Sequence, residues 1–245
     1  MTRVAQPLSP EWHQYAAFAF LSLGAAGATG ILEITNGRKF FRPYFGSVDP
    51  LAAIALAIAV GGGCLLFLGW CGWFEIYERR KTLKGMVVSA LLATFLAIPV
   101  IAVDFAVGIQ VANVPPPWSL SFYPAIAFVV EAFFHALPLA LLAALLMPFF
   151  ERPNSRGLVW GCILLVSLLE PTFQLRSGLV HQPLSLIEAY VWLHVWAINL
   201  LQLYVFRRFG FVSMYAFRLV YYLHWHVVWG YLRLQLEFPS ALDGV

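Results

Sequence analysis

Apolar runs close to twenty residues long constrain this 245-residue chain more than any other feature. As a helix rising about 1.5 Å per residue, such a run spans the roughly 30 Å hydrocarbon core of a bilayer. The composition agrees, because 61% of the residues are hydrophobic and only 11% are charged, whereas about a quarter of a soluble domain is charged. The sequence therefore predicts an all-α, polytopic membrane helix bundle whose first partner is the lipid bilayer.

Hydropathy and helix breakers predict about seven transmembrane helices in a single membrane-embedded domain, 1–245. Residues 1–110 hold the first three helices and residues 111–245 hold the last four. The predicted spans are 14–34, 51–76, 85–109, 119–147, 157–175, 186–206 and 211–234. The first apolar run follows a polar N-terminus and shows no clear cleavage site, so we expect a retained helix instead of a signal peptide.

Basic residues in the short loops predict the orientation, because Lys and Arg collect on the cytoplasmic side. With the segment 78–85 inside, nine of them face the cytoplasm: Arg3, Arg79, Arg80, Lys81, Lys84, Arg152, Arg156, Arg207 and Arg208. Five lie outside: Arg38, Lys39, Arg42, Arg176 and Arg233. This places the N-terminus in the cytoplasm. The basic outer loop 36–50 is expected to lie in the interface with its aromatic rings in lipid. No organellar targeting signal is evident, so we expect a bacterial inner membrane.

The charge pattern argues against nucleic acid binding, and the cysteine pattern argues against a disulfide framework and a cysteine zinc site. The net charge of +3 is spread over short loops and forms no basic stripe, so no nucleic acid partner is expected. The three cysteines fall inside apolar runs, without the spacing of a disulfide framework or of a zinc site.

Polar residues inside the predicted spans point to a shared interior site. A charged group at a helix centre costs roughly 2.5–3.5 kcal/mol on insertion scales, so such groups should face one another. Three helices present rows at helical spacing: Glu131 with His135, Glu170 with Gln174, and Arg218 with Tyr222 and His226. The remaining polar residues in the spans are Asp104, His194, Asn199, Gln202 and His224. We expect Asp104 to be wetted at its helix end, and His194 and His224 to be interfacial or hydrogen-bonded.

Depth counting predicts a cluster of Glu131, His135, Glu170 and His226 in the outer half of the bundle, with Arg218 a couple of turns deeper. A buried glutamate beside a histidine can act as a general base. The same four residues could bind a divalent metal such as zinc, which would offset the burial of two carboxylates. Alternatively, the two glutamates pair with Arg218 and the histidines as polar contacts that hold the helices together.

Three segments of the C-terminal half resemble the CPBP family, the CAAX-protease and bacteriocin-processing (Abi) membrane proteins. In that family one helix carries Glu-Glu-x-x-x-Arg, the next Phe-x-x-x-His, and a late one His-x-x-x-Asn. The matching segments are "VEAFFHALPLALL" (130–142), "VSLLE" (166–170) and "LYVFRRFGFVSMYAFRLVYYLHWHVVWG" (203–230). Glu131 stands at the second glutamate. The other aligned positions differ from the motifs: Val130 and His135 in the first, Val166 and Glu170 in the second, and Arg218 and Tyr222 in the third.

The resemblance implies an intramembrane protease in which Glu131 activates water to hydrolyse a membrane-embedded or lipidated peptide. The other candidate catalytic residues are His135, Glu170, Arg218, Tyr222 and His226. The alternative is a non-catalytic relative that serves as an accessory, assembly or binding subunit of a membrane complex. The substituted motif positions favour this second function, whereas the retained buried acid and the nearby histidine favour the first.

Overall fold

A computed structural model describes residues 12–109, 113–149, 156–176 and 186–237. Within these ranges the chain is helical and contains no strand. The polar N-terminal stretch 1–11 and Arg152, which entered the orientation prediction together with Arg3, lie outside the described residues.

Seven long helical stretches follow one another along the chain. They are α1 Trp12–Ile34, α2 Pro50–Trp70, α3 Arg79–Val107, α4 Ser119–Phe149, α5 in two parts (Arg156–Ser167 and Leu169–Arg176), α6 Leu186–Phe209, and α7 over 211–237. Within the described ranges, α1 to α6 are long and apolar enough to cross a membrane by length and composition. The seventh predicted span is helical, but Arg218, His224 and His226 make it more polar than these six. The all-α bundle is confirmed, with six helices of this kind.

The outward faces of the helices carry large apolar side chains. Six that are at least half exposed are Phe20, Leu23, Leu56, Leu91, Phe95 and Leu145. Such a surface would be unfavourable in water over this extent, and it suits acyl chains. The protein is therefore an integral membrane protein in contact with the bilayer.

Helix α7 packs closely on α3 along a row of small residues, which we call the small-residue contact: Thr82, Gly85, Ser89 and Ala93. A Cβ atom on Gly85 would lie 2.3 Å from Oγ of Ser213 and 2.4 Å from Cβ of Phe209. The Ser89 hydroxyl donates a 2.8 Å hydrogen bond to the Ser213 carbonyl. Small side chains thus let the two backbones approach, as is common between membrane helices.

The start of α7 is fixed by the loop that follows α2. The backbone N–H groups of Phe211 and Val212 donate to the carbonyls of Glu75 and Ile76, at 3.0 and 3.2 Å. Gly210 turns the chain here with φ +94°, and a Cβ at this residue would lie 2.9 Å from the Ile76 oxygen. Glycine is required for both reasons, since other residues rarely adopt this φ.

Two prolines interrupt the helices that carry the predicted carboxylates. Pro138 has no N–H group, and the preceding residues Glu131–Ala136 form a π-helix whose wider turns accommodate the ring. Pro171 cannot donate to the Ser167 carbonyl, and α5 is broken between Ser167 and Leu169. Glu170 therefore lies in the first turn of the second part of α5.

The expectation for Asp104 was wrong, and the expectation that the aromatic rings of the loop 36–50 lie in lipid fails for Phe41. The loop after α1 forms the short helical turns Gly37–Phe41 and Arg42–Phe45, and the Phe41 ring is buried against Phe122 at 5.0 Å between centroids instead of lying in lipid. Asp104 is buried instead of wetted. It accepts a 2.6 Å hydrogen bond from the Trp229 indole and lies 3.3 Å from Arg233. In both places a neighbouring helix supplies the partner that sequence spacing does not reveal.

Candidate functional site

The guanidinium of Arg218 lies between two carboxylates from different helices. Its Nε donates to Oε1 of Glu131 at 2.5 Å. Its Nη1 and Nη2 donate to the two oxygens of Glu170 at 3.0 and 2.8 Å, a bidentate arrangement. Glu131, Arg218 and Glu170 are 0%, 3% and 6% exposed. We call these three residues the ionic cluster; it joins α4, α5 and α7 inside the bundle.

Both oxygens of Glu131 accept hydrogen bonds. Besides Arg218, Oε1 receives the side-chain amide of Gln202 from α6 at 2.6 Å. Oε2 lies 2.5 Å from Nδ1 of His135, which follows it in the same π-helical segment. The carboxylate is therefore held by three side chains from three helices, which offsets the large cost of burying its charge.

Further polar groups surround the ionic cluster. The hydroxyl of Tyr222 accepts from Nη1 of Arg218 at 3.2 Å, and Oδ1 of Asn199 accepts from Nη2 at 3.4 Å. On the other side, the amide of Gln174 donates to Oε1 of Glu170 at 3.2 Å. The structure thus brings together five of the six predicted catalytic residues: Glu131, His135, Glu170, Arg218 and Tyr222.

The sixth candidate, His226, has no hydrogen bond to the ionic cluster among the contacts of the described residues. Its Nδ1 is 3.0 Å from Oδ1 of Asn113, and its ring stacks on Tyr123 with centroids 4.6 Å apart. The predicted contact of His226 with Glu131 is not formed, although its ring lies 5.0 Å from that of Tyr222 between centroids, and Arg218 contacts both carboxylates instead of lying deeper. Residues Leu223–Trp229 form a π-helical segment, which changes the direction of the His226 side chain relative to Arg218 and Tyr222. The side chain of Arg218 is long enough to reach both carboxylates.

The predicted metal site does not assemble. Among the residues that the structure describes, no three His, Cys, Asp or Glu side chains are grouped so that they could hold a metal ion. The cationic guanidinium of Arg218 occupies the space between Glu131 and Glu170, and His226 is directed to Asn113. The residues present do not fit zinc or another divalent cation at this place.

The two remaining histidines are hydrogen-bonded within the bundle. Nε2 of His194 lies 3.1 Å from the hydroxyl of Tyr221, and Nε2 of His224 lies 3.0 Å from the hydroxyl of Thr94. Both partners are on other helices, so these imidazoles connect α6 to α7 and α7 to α3. This agrees with the expectation that they are hydrogen-bonded residues.

A cavity of about 250 Å³ lies beside the ionic cluster; we call it the aromatic cavity. Its polar lining includes Glu170, Gln174, His194, Arg218, Tyr222 and His226. Apolar and aromatic side chains complete the wall, among them Phe134, Val195, Ile198 and Trp225. Glu131 is not among the lining residues, so the cavity meets the cluster at Glu170 and Arg218.

Three buried polar atoms of residues that contact the ionic cluster have no hydrogen-bond partner among the described residues: Nε2 of His135, Nδ2 of Asn199 and Oε1 of Gln202. Nδ2 of Asn199 is a donor and Oε1 of Gln202 is an acceptor, whereas Nε2 of His135 can be either. Buried polar atoms of this kind are commonly hydrogen-bonded to ordered water.

Sequence reasoning did not assign Asn199 and Gln202 to the site. They are three residues apart on α6 and therefore share a face of the helix. That spacing was visible in the sequence and could have identified a fourth polar row facing Glu131.

Comparison of the chain with protein-family models, with curated proteins and with solved structures found no match. The resemblance to the CPBP family therefore stays a prediction. The class of protein established by the fold is a helical integral membrane protein with a buried ionic cluster.

Proposed function

We propose that the protein is a non-catalytic relative of the CPBP family, a membrane-embedded binding or accessory subunit. In this function the aromatic cavity holds an apolar or lipidated peptide segment without cleaving it. The observation that carries the proposal is that both oxygens of Glu131 are engaged by Arg218, Gln202 and His135.

The position of Glu131 supports binding more than hydrolysis. A general base must come within about 2.6–3.2 Å of the proton that it removes, directly or through one water. Glu131 is fully buried and does not line the aromatic cavity. To reach a substrate there, it would have to leave an ion pair in which Arg218 would remain buried beside a single carboxylate, a costly change.

The chemistry of the aromatic cavity fits a ligand with an apolar body and one polar end. Most small-ligand sites combine apolar and aromatic walls with a few polar groups that set orientation. Here the walls are rings and aliphatic side chains, and the polar groups lie where Glu170, Arg218 and Tyr222 meet the cavity. An extended peptide segment or a lipid chain attached to a peptide has this distribution, so a membrane protein partner is included in the proposal.

The proposal places the protein in a bacterial inner membrane with its N-terminus in the cytoplasm. Arg79, Arg80, Lys81 and Lys84 begin α3 at the bundle end where Arg207 and Arg208 close α6. A basic excess of this kind marks the cytoplasmic end of membrane helices. Reporter fusions at the two termini test the orientation.

Hydrolysis of the same class of peptide is the second candidate function. The Glu131–His135 pair favours it, because a buried glutamate in contact with a histidine can act as a general base. In that reaction the Glu131–His135 pair would take a proton from a water molecule, whose oxygen would attack the peptide carbonyl. The proton would then pass to the leaving amine.

One experiment on the purified full-length protein separates the two functions. A fluorescent peptide carrying a prenyl group is added in lipid nanodiscs, and both binding and cleavage are followed for wild type and Glu131→Gln. The binding arm includes Val195→Trp, which fills the aromatic cavity, and Leu193→Trp, a matched change on the lipid-exposed face of α6.

We expect the peptide to bind to wild type, Glu131→Gln and Leu193→Trp, to lose binding to Val195→Trp, and to stay intact in all four. Cleavage by wild type that disappears in Glu131→Gln would overturn the binding proposal in favour of hydrolysis. If the peptide binds equally to Val195→Trp and to wild type, it does not bind in the aromatic cavity.

A further inference from the structure

A second and larger cavity lies at one end of the bundle, away from the ionic cluster. Its volume is about 770 Å³, and we call it the basic cavity. It is formed where α1, α3 and α5 begin and where α2 and α6 end. On the predicted orientation this is the cytoplasmic end. Nothing in the proposed function uses it.

The basic cavity carries an excess of positive charge. Four cationic side chains line it, Lys81, Arg156, Arg207 and Arg208, together with one carboxylate, Glu75. Lys81 is neutralised locally, since its ammonium lies 3.1 Å from Glu75 and 3.2 Å from Glu78. The charge that is left comes from the three arginines.

Those three arginines lack a carboxylate partner within the described ranges. No Asp or Glu of these ranges lies within ion-pair distance of Arg156, Arg207 or Arg208. Guanidinium groups that share one cavity repel each other unless an anion enters, and their planar donor arrangement matches the oxygens of a phosphate.

The structure also orients one of the three. Arg207 donates to the backbone carbonyl of Trp73, and its guanidinium lies 5.9 Å from the centre of the Phe74 ring. Both contacts use neutral groups, and Glu75, whose charge also acts on Arg207, lies beyond ion-pair distance. An arginine held this way loses little conformational freedom when it binds an anion.

The rest of the wall is apolar and aromatic. Leu65, Leu66 and Trp70 come from the end of α2, and the rings of Trp160 and Tyr204 stack with centroids 6.2 Å apart. Trp and Tyr rings of this kind favour the boundary between headgroups and acyl chains. An inorganic anion would use only the arginines, whereas an anion joined to acyl chains would use the whole wall.

We propose that the basic cavity binds the phosphate headgroup of an anionic membrane lipid, with Arg156, Arg207 and Arg208 around the phosphate and the acyl chains along Leu66 and Trp70. Basic pockets between membrane helices on the cytoplasmic side are suited to such headgroups. The lipid would be a bound ligand of this chain, because the three arginines, although exposed, line one cavity together with apolar and aromatic side chains.

The test measures lipid binding to the purified full-length protein in neutral detergent, with phosphatidylglycerol and phosphatidylcholine as probes and native mass spectrometry as the readout. Arg156→Gln combined with Arg208→Gln removes two charges from the cavity and leaves Arg207 on its carbonyl. The matched control is Arg79→Gln with Arg80→Gln, which removes two exposed charges from the same end without changing the cavity lining.

We expect wild type to prefer phosphatidylglycerol and to lose this preference as salt rises. One arginine near an anionic headgroup contributes about fivefold in affinity, so the cavity variant should lose about twentyfold or more and the control less than about threefold. A variant with Arg156→Lys and Arg208→Lys should keep most of the preference, which also shows that these positions tolerate substitution.

Three outcomes would overturn the proposal. One is an equal affinity of wild type for the two lipids. Another is an equal loss in the cavity variant and the control, which would mean a general surface attraction. The third is displacement of phosphatidylglycerol by millimolar inorganic phosphate with equal thermal stabilisation by phosphate alone, which would identify a free anion as the ligand.

Discussion

Helix α7 is held in the bundle by two contacts of opposite chemistry. Near its start it meets α3 through the small-residue contact, where Gly85 and Ser89 let the backbones approach and hydrogen bonds link hydroxyls to carbonyls. About two turns further on, Arg218 joins it to α4 and α5 through the ionic cluster. The first contact depends on shape and the second on charge, so the two should respond very differently to substitution.

The difference also bears on function. Close packing of small residues is a common way to hold membrane helices together and needs no further explanation. Buried ions are costly, and replacing a complete ion pair by apolar groups is often neutral. The cost of the ionic cluster and its position beside the aromatic cavity agree with the proposed binding function.

The largest effect is expected from Arg218→Leu. It leaves Glu131 and Glu170 buried without their cation, and breaking a buried pair on one side costs about 3–5 kcal/mol. The free energy of unfolding, measured by SDS titration in mixed micelles, should fall by that amount. As a control, combining this change with Glu131→Gln and Glu170→Gln should restore most of the stability. If Arg218→Leu is as stable as wild type, Arg218 does not stabilise the two buried carboxylates.

A smaller loss is expected from His135→Leu, which removes one of the three donors to Glu131 and leaves the ion pair with Arg218 intact. Hydrogen bonds to charged groups contribute about 1.5–3 kcal/mol. The matched control is His224→Leu, whose partner Thr94 is neutral, and about 0.5–1.5 kcal/mol is expected there. Equal losses in the same SDS titration would mean that the charge of Glu131 adds nothing to its hydrogen bond with His135.

The small-residue contact is tested by Gly85→Ala. The added methyl group would overlap Ser213 and Phe209, and overpacking of this kind costs about 1–3 kcal/mol. Gly63→Ala is the control, because a Cβ at Gly63 would have nothing within 4 Å. Unfolding measurements should show a loss only for the first variant. If both variants match wild type, α3 and α7 are not in close contact at Gly85.

The smallest effect is expected at the surface. Arg38 lies 2.9 Å from Asp49 and 3.4 Å from Glu33, but its side chain is 54% exposed. Exposed pairs contribute about 0–1 kcal/mol. Arg38→Gln should therefore change the unfolding free energy by less than about 1 kcal/mol at moderate salt. A loss as large as that of Arg218→Leu would erase the distinction between buried and exposed ion pairs in this protein.

The sequence predicted the site best where it depended on local spacing. The contacts of Glu131 with His135, and of Glu170 with Gln174, follow from one helical turn of separation. The central position of Arg218 did not follow, because depth counting locates Cα atoms and ignores the length of the side chain. The contact of His226 was mispredicted because this residue lies in a π-helical segment, which is not visible in a pattern read with a period of 3.6.

For the fold as well, features set by neighbouring residues were predicted and contacts between distant residues were not. Apolar length located all seven helices, since the bilayer sets their length independently of their neighbours. The partners of Asp104 come from α7, more than one hundred residues further along the chain. Burial of the Phe41 ring likewise depends on Phe122 in another helix. These contacts are determined by tertiary packing, which a single sequence does not specify.

A double-mutant cycle between Glu131→Gln and Arg218→Leu tests the ionic cluster most directly. Unfolding free energies of wild type, both single variants and the double variant give the coupling between the two side chains, with Glu170 present in all four proteins. Because the two groups are 2.5 Å apart and buried, we predict a coupling of about 2–3 kcal/mol. Additivity within about 0.5 kcal/mol would contradict the account, since groups that do not share a pocket have additive effects.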